Sequence, residues 1–364
     1  MRILILANND VGLYKFRKEL IEKLLLTNEV FISLPNGDLV ENLVEKGCQF
    51  INTPIDRRGI NPLRDIVTVI AYYKLLRKIK PDLVISYTIK PVIYGGIIAR
   101  LLKLKYVANI TGLGTVFQTE NWLKKVVVIF YKVALKRVTT VFFENSSNKE
   151  IFVNSNIIPD SKGHVLNGAG VNLGEYPLLP YPKDDNETRL LFVGRVMEEK
   201  GIVELLEVVS ELNSEGLKVK LDIVGGLEEN LKPLLLEFEE KGLGTYHGFQ
   251  QDVQSFIEKS HALVLPSWHE GMANTNLEGA ASGRPVITSD IPGCRESVVD
   301  NKSGYLFAVK NKDDLKAVII KFINLGFEER KEMGLAARLH IEANFDKEIV
   351  VNETISCLDL ESWY

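Results

Sequence analysis

The chain has 364 residues, 46% of them hydrophobic and 25% charged, with a formal net charge of −4. That is ordinary for a globular chain of about two domains, and no apolar run approaches the roughly 20 residues a membrane-spanning helix needs. The three cysteines, Cys48, Cys294 and Cys357, are odd in number and lack metal-ligand spacing, which excludes a disulfide framework or cysteine metal site and suits a reducing compartment.

The net charge hides an asymmetry. Residues 1–175 hold 24 Lys/Arg against 15 Asp/Glu, whereas residues 176–364 hold 20 against 33. A basic first half and an acidic second half point to two domains with different partners. No aromatic-basic RNA motif or DNA-binding pattern accompanies the basic half, so nucleic acid is not an expected partner. An anionic membrane or a diphosphate lipid accounts for the charge as well.

In chain order, residues 2–8 read as a strand; MRILILANND is too short in its apolar part, and lacks the cleavage pattern, for a signal peptide. Residues 8–12, Asn-Asn-Asp-Val-Gly, are a turn, and Leu13, Phe16, Leu20, Leu24 and Leu25 then recur at helical spacing. A strand at 29–34, a helix near 38–46 and a strand near 49–54 follow. Asn61 caps a helix that has Pro62 at its first position and runs to Lys80. Residues 82–87 are a strand, 91–102 a helix, and 106–110 a strand ending in the turn Thr111-Gly112-Leu113-Gly114. Strands near 139–144 and 164–166 complete the first half. A proline-rich, then polar linker begins at Tyr176. The alternation restarts with strands at 189–196, 218–224, 244–249, 261–265, 286–289 and 304–307, and residues 312–364 are nearly all helical. Repeated β/α alternation predicts doubly wound parallel sheets in an α/β chain. The expected division is 1–175, a linker at 176–187, a second domain at 188–345 and a terminal helix at 346–364.

Residues 261–295, HALVLPSWHEGMANTNLEGAASGRPVITSDIPGCR, carry the most information. A buried strand ends at Pro266, a loop holds Trp268-His269-Glu270-Gly271, and Asn274 or Thr275 is a good N-cap for a short helix that Gly283 and Pro285 end. A helix start at the carboxyl end of a parallel strand favours an anion, above all a phosphate. Glu270 and Glu278 bracket this turn and can face a ligand lying across it. Thr275-x-x-Glu278 is also a capping box, in which Glu278 would only hold a backbone N–H.

With its E-x7-E spacing, small-residue helix, G-x-P-V-I and P-G-x-x-E, this stretch resembles the signature of the family-four retaining glycosyltransferases. The resemblance implies the GT-B architecture: an N-terminal acceptor-binding and a C-terminal nucleotide-sugar-binding Rossmann-like domain across a cleft, the last helix crossing back to the first domain. It implies that Glu270 lies beside the donor sugar, that Glu278 accepts from the ribose, and that Arg195 and Lys200 in Gly194-Arg195-x4-Lys200-Gly201 hold the diphosphate. A guanidinium can fork onto a diphosphate, and a lysine adds a point charge. Glu270, Arg195 and Lys200 are therefore the expected catalytic residues. The backbone of Gly271, Met272, Ala273, Asn274 and Thr275 would face the phosphates, with Phe249 in the loop that seats the base. Gly12 would let backbone approach a phosphate, or is a plain turn glycine.

On the first domain, Arg57, Arg58 and Lys90 would clamp an acceptor diphosphate, or are solvated loop charges. Asn109, Thr111 and Gly112 stand where many family members place a histidine or an acid, which leaves no assigned base there. His269 is orienting or structural. Residues 121–137, basic and apolar together, fit a membrane interface or a packed helix with a lysine rim.

No D-x-D triplet occurs, so no metal or other cofactor is expected. The implied activity is retaining, metal-independent transfer of a hexose or N-acetylhexosamine from a UDP-sugar to a lipid-linked (undecaprenyl-diphosphate) glycan, in bacterial surface-polysaccharide or glycan assembly. The subset with N-L-E-G-A-A-S-G-R-P-V-I and G-L-G-x-x-F is similar to enzymes that add α-1,3-linked N-acetylgalactosamine. The implied location is cytoplasmic, peripherally on the inner face of the plasma membrane. A UDP-sugar epimerase of the same fold and a non-catalytic nucleotide-sugar-binding protein are the alternatives. A nicotinamide dehydrogenase ranks lower, because no G-x-G-x-x-G follows the first strand.

Overall fold

A computed structural model describes residues 1–55, 62–114, 117, 122–183 and 187–358. Arg57, Arg58 and Asn61, Asn121 at the start of the basic apolar segment, part of the linker and the last six residues lie outside the described residues. The chain forms two units, residues 1–169 with 348–364, and residues 170–347.

The first unit runs β1 (Arg2–Leu6), α1 (Asp10–Leu25), β2 (Glu29–Leu34), α2 (Val40–Glu45), β3 (Gln49–Asn52), α3 (Pro62–Ile79), β4 (Leu83–Tyr87), α4 (Ile89–Leu101), β5 (Lys105–Ile110), α5 (Trp122–Ala134), β6 (Thr140–Phe143), α6 (Ser146–Asn154) and β7 (Gly163–Val165). All its strand pairs are parallel, in the order β3-β2-β1-β4-β5-β6-β7. Helices cover both faces, which is why the strands are nearly continuous apolar runs. Leu4 and Leu6 of β1 enter one core cluster, and Ile3 and Ile5 enter the cluster on the opposite face.

The second unit runs β8 (Thr188–Val193), α7 (Ile202–Ser214), β9 (Val219–Val224), α8 (Lys232–Glu240), β10 (Gly244–Tyr246), α9 (Gln254–Lys259), β11 (Ala262–Leu265), α10 (Asn274–Ala281), β12 (Val286–Ser289), β13 (Gly304–Phe307), α11 (Lys312–Ile323) and α12 (Phe327–Asn344). Its sheet is parallel, in the order β10-β9-β8-β11-β12-β13. The final helix, α13 (Lys347–Leu358), returns to the first unit, where Val350, Val351 and Leu358 join the cluster that holds Leu13, Leu20 and Ile21 of α1.

In both sheets the strand order reverses beside the first strand, between β1 and β4 and between β8 and β11. Connections there leave toward opposite faces of the sheet, and in open α/β sheets a ligand binds at the carboxyl ends of strands at such a point. Among the boundaries that differ from the sequence expectation, two bear on expected site residues. Helix α1 begins at Asp10, ahead of Gly12, because the Asn9 side chain caps it. Strand β10 stops at Tyr246, and Gly248 at φ +66° takes the chain out of extended geometry before Phe249.

Candidate functional site

In the second unit, the loops after β8 and β11 lie side by side because their strands pair directly. Gly201, the residue before α7, sits at φ +68°, and a Cβ there would stand 2.1 Å from the Pro266 carbonyl oxygen. Only glycine permits that conformation and that approach together. The two loops are then stitched. The Trp268 N–H donates to the Glu199 carbonyl at 2.9 Å, and His269 Nε2 meets Glu199 Oε2 at 3.1 Å. Trp268 Nε1 donates to Glu204 Oε1 at 3.2 Å, and Lys310 Nζ lies 3.8 Å from the Trp268 ring centroid. His269 therefore orients the loop.

The stitching brings Lys200 onto Glu270. Lys200 Nζ donates to Glu270 Oε1, and the two side chains are only 15% and 13% exposed. Arg195 donates through Nη1 to Glu228 Oε2 at 3.0 Å, with Arg195 45% and Glu228 20% exposed. Each cation expected at a diphosphate thus has a carboxylate beside it. Cys294 is buried beneath, its thiol pushed up by that burial and by the Glu270 charge.

The start of α10 departs from the expectation. The N-cap is Ala273, not Asn274 or Thr275, and no side chain caps the helix. The Thr275–Glu278 capping box does not form, because Thr275 is already inside the helix; Glu278 instead accepts from the Tyr176 hydroxyl. Burial first, and that carboxylate second, push the Tyr176 pKa up. Of the amides expected to face phosphates, Ala273 donates to the Gly293 carbonyl at 2.7 Å and Asn274 to the Met272 carbonyl at 3.0 Å. The turn of the P-G-x-x-E segment takes the first of them: Gly293, at φ +87°, brings its backbone so close that a Cβ would meet the Gly271 oxygen at 2.6 Å. Among the described residues, Met272 and Thr275 N–H take no backbone acceptor. The Met272 and Ala273 side chains are buried in the core, so these residues present backbone alone. The Asn274 side-chain oxygen is buried without a hydrogen-bond partner. The Gly194 N–H is spent on the Val224 carbonyl at 3.0 Å, and Phe249 stands 62% exposed beyond β10.

The arginine of the G-R-P-V-I segment is structural. Arg284 is fully buried and donates to the Ile257, Glu258, Leu179, Pro180, Ser282 and Gly283 carbonyls. It ties the linker and the end of α9 to α10.

In the first unit, Gly12 lies in the first turn of α1, and its N–H donates to Asn9 Oδ1 at 2.6 Å. That amide serves the N-cap of α1. Lys90 pairs with Asp65 at 2.7 Å, both largely buried. Asn109 is buried in β5 and donates to the Ser86 carbonyl at 3.3 Å, which takes its side chain into the sheet. Thr111 and Gly112 follow β5 directly, at its carboxyl end. Arg17 and Glu144, far apart in sequence, form a buried ion pair at 2.6 Å.

The sequence reading missed the partners Glu228, Glu199 and Tyr176. Only Glu228 carried a local signal, as an acid in the Gly225-Gly226-Leu227-Glu228 loop after a predicted strand.

Known proteins match this chain along its whole length. Residues 2–145 match the family described as glycosyl transferase 4-like, and residues 180–340 match glycosyl transferases group 1. A relative from Campylobacter jejuni, an N,N'-diacetylbacillosaminyl-diphospho-undecaprenol alpha-1,3-N-acetylgalactosaminyltransferase, is 26% identical over 99% of this chain and 98% of its own. An Escherichia coli UDP-Gal:alpha-D-GlcNAc-diphosphoundecaprenol alpha-1,3-galactosyltransferase is 26% identical over 84% of this chain and 83% of its own. The crystal structure of Anabaena HepE in complex with UDP and glucose is similar in fold, with a TM-score of 0.80 at 15% identity, covering 98% of this chain and 99% of that one. Two parallel Rossmann-like sheets, the first half matching the glycosyl transferase 4-like model and the second half the glycosyl transferases group 1 model, establish that the chain is a glycosyltransferase of the GT-B fold class with one domain of each kind.

Proposed function

We propose that the chain moves a hexose or N-acetylhexosamine from a UDP-sugar to an undecaprenyl-diphosphate-linked glycan at the membrane surface, with retention and without a metal ion. The observation that carries this reading is the grouping of Arg195, Lys200 and Glu270 in the paired loops beside the start of α10. Both relatives named above act, by their names, on diphospho-undecaprenol sugars, and one uses UDP-galactose.

The chemistry follows from the groups present. The donor diphosphate lies against Arg195, Lys200 and the amides at the start of α10, which supply positive charge where a divalent ion would otherwise act. Glu270, ionised, has spare acceptor capacity beyond its bond to Lys200, and sugar hydroxyls donate to it. The bond from the anomeric carbon to the phosphate oxygen breaks as the acceptor hydroxyl attacks from the same face. The departing diphosphate takes the acceptor proton, and the two cations stabilise the charge that builds on it.

The test is transfer from a panel of labelled UDP-sugars to a short-chain polyprenyl-diphosphate glycan, with and without EDTA. The expected outcome is an α-linked product, insensitive to EDTA. Arg195→Ala and Glu270→Ala should each lower kcat by at least about 100-fold, the scale of one lost transition-state interaction, with the far-ultraviolet circular dichroism retained. Wild-type rates in both variants would sink the assignment.

A further inference from the structure

Helices α3, α4 and α5 bury their inner faces in one core cluster on one side of the first sheet, and α4 packs against both of the others. The outer faces of α3 and α5 are apolar as well. On α3, Leu63, Ile66, Val67 and Ile70 are 76%, 54%, 66% and 49% exposed. Their i, i+3, i+4, i+7 spacing makes one continuous stripe. On α5, Trp122, Ile129, Phe130 and Val133 are exposed too. Single exposed apolar residues need no explanation, but a stripe of this kind on two helices covering one face of a sheet does.

Charge identifies the occupant. Residues 62–137 hold 14 Lys/Arg against three Asp/Glu, an excess of +11 that exceeds the +9 of the entire basic half. Lys74, Arg77 and Lys78 continue the outer face of α3 beyond the stripe, and Lys125, Lys132 and Lys136 are exposed beside the apolar residues of α5. The one acid within the three helices, Asp65, is neutralised by Lys90. A second copy of the chain meeting this face through a twofold axis would set these lysines and arginines against their own copies, which disfavours it. No helix among the described residues is long and apolar enough to cross a membrane, so attachment through these helices is interfacial.

We infer that α3 and α5 form a two-helix docking surface for an anionic phospholipid leaflet, the α3 stripe and Trp122 entering the acyl boundary and the lysines and arginines lying among the headgroups. Of the two helices, α3 supplies the longer uninterrupted apolar stripe. The inference deepens the reading that the acceptor is lipid-linked, and it names the surface on which that acceptor would be met.

The experiment is co-sedimentation of the full chain with vesicles that contain no acceptor, made of phosphatidylcholine alone or with phosphatidylglycerol, at low and high salt. The expected result is binding to the anionic vesicles, weakened several-fold by salt, with a blue shift in tryptophan emission that Trp122→Phe removes. Ile66→Ser, Val67→Ser and Ile70→Ser together should lower the bound fraction at least tenfold without changing circular dichroism or melting, since all three side chains are exposed. Lys74→Gln, Arg77→Gln and Lys78→Gln together should remove part of the salt-sensitive component. Equal binding to both vesicles overturns the charge argument. A chain that ignores vesicles but forms a dimer lost in the serine variant overturns the lipid assignment in favour of a second copy. A chain that transfers sugar to a short-chain acceptor yet never sediments overturns this surface alone, and one that sediments yet transfers nothing supports the surface while refuting the proposed activity.

Discussion

Lys200 and Glu270 hold each other, as do Arg195 and Glu228, and the two pairs differ in what a ligand must do to them. The Lys200–Glu270 pair is largely buried, so its geometry is fixed and each partner keeps unused capacity: two further N–H donors on the ammonium and lone pairs on the carboxylate. The Arg195–Glu228 pair is more open, and solvent screens it. Glu228 there competes with any anion for the guanidinium. Glu228→Gln keeps the shape and removes the charge. Titration calorimetry with UDP should then show tighter binding by a factor of about two to five, matching the modest worth of an exposed ion pair. Weaker binding in that variant would mean that Glu228 aims Arg195 rather than competing with the ligand.

The relevant elements are two loops rather than a helix. The loop after β8 and the loop after β11 act as one rigid piece because Gly201 lets the chain pass within contact of the Pro266 carbonyl, and Glu199 then bonds both Trp268 and His269. The added methyl of Gly201→Ala cannot be accommodated without moving one loop, and φ +68° is itself strained for alanine. The displacement would fall on Lys200, the immediate neighbour of Gly201, and so on its bond to Glu270. A misplacement of about 1 Å costs on the order of 100-fold in rate. The expected outcome is a transfer rate down by at least about tenfold with the far-ultraviolet circular dichroism retained. Unchanged kinetics in Gly201→Ala would show that the two loops need not touch.

At the scale of the whole chain, the first unit is not continuous: it takes its last helix from beyond the second unit. Val350 and Val351 of α13 are almost fully buried in the same cluster as Leu13 and Ile21. Truncating both to alanine should destabilise the first unit by about 2–4 kcal/mol, seen as a fall of roughly 5–10 °C in its melting transition, while UDP affinity, which the proposed function puts in the second unit, should stay unchanged. The alternation of strands and helices, the order of the glycosyltransferase segments and the positions of Arg195, Lys200 and Glu270 at strand ends were all legible in the residues, because periodicity and turn chemistry are local. The N-cap of α10 was misread because Gly293, about 20 residues on in the chain, takes the Ala273 amide. Glu199 and Tyr176 carried no local signal as site partners, and Glu228 only its place after a predicted strand, because each meets its residue across the paired strands or the linker, and strand order is decided by how helices pack on both faces of a sheet. Helix α3 makes the same point. Its sequence is apolar on more than one face. Only the placement of α4 against one side of it decides that Tyr72, Leu75 and Leu76 are core and that Leu63, Ile66, Val67 and Ile70 face outward.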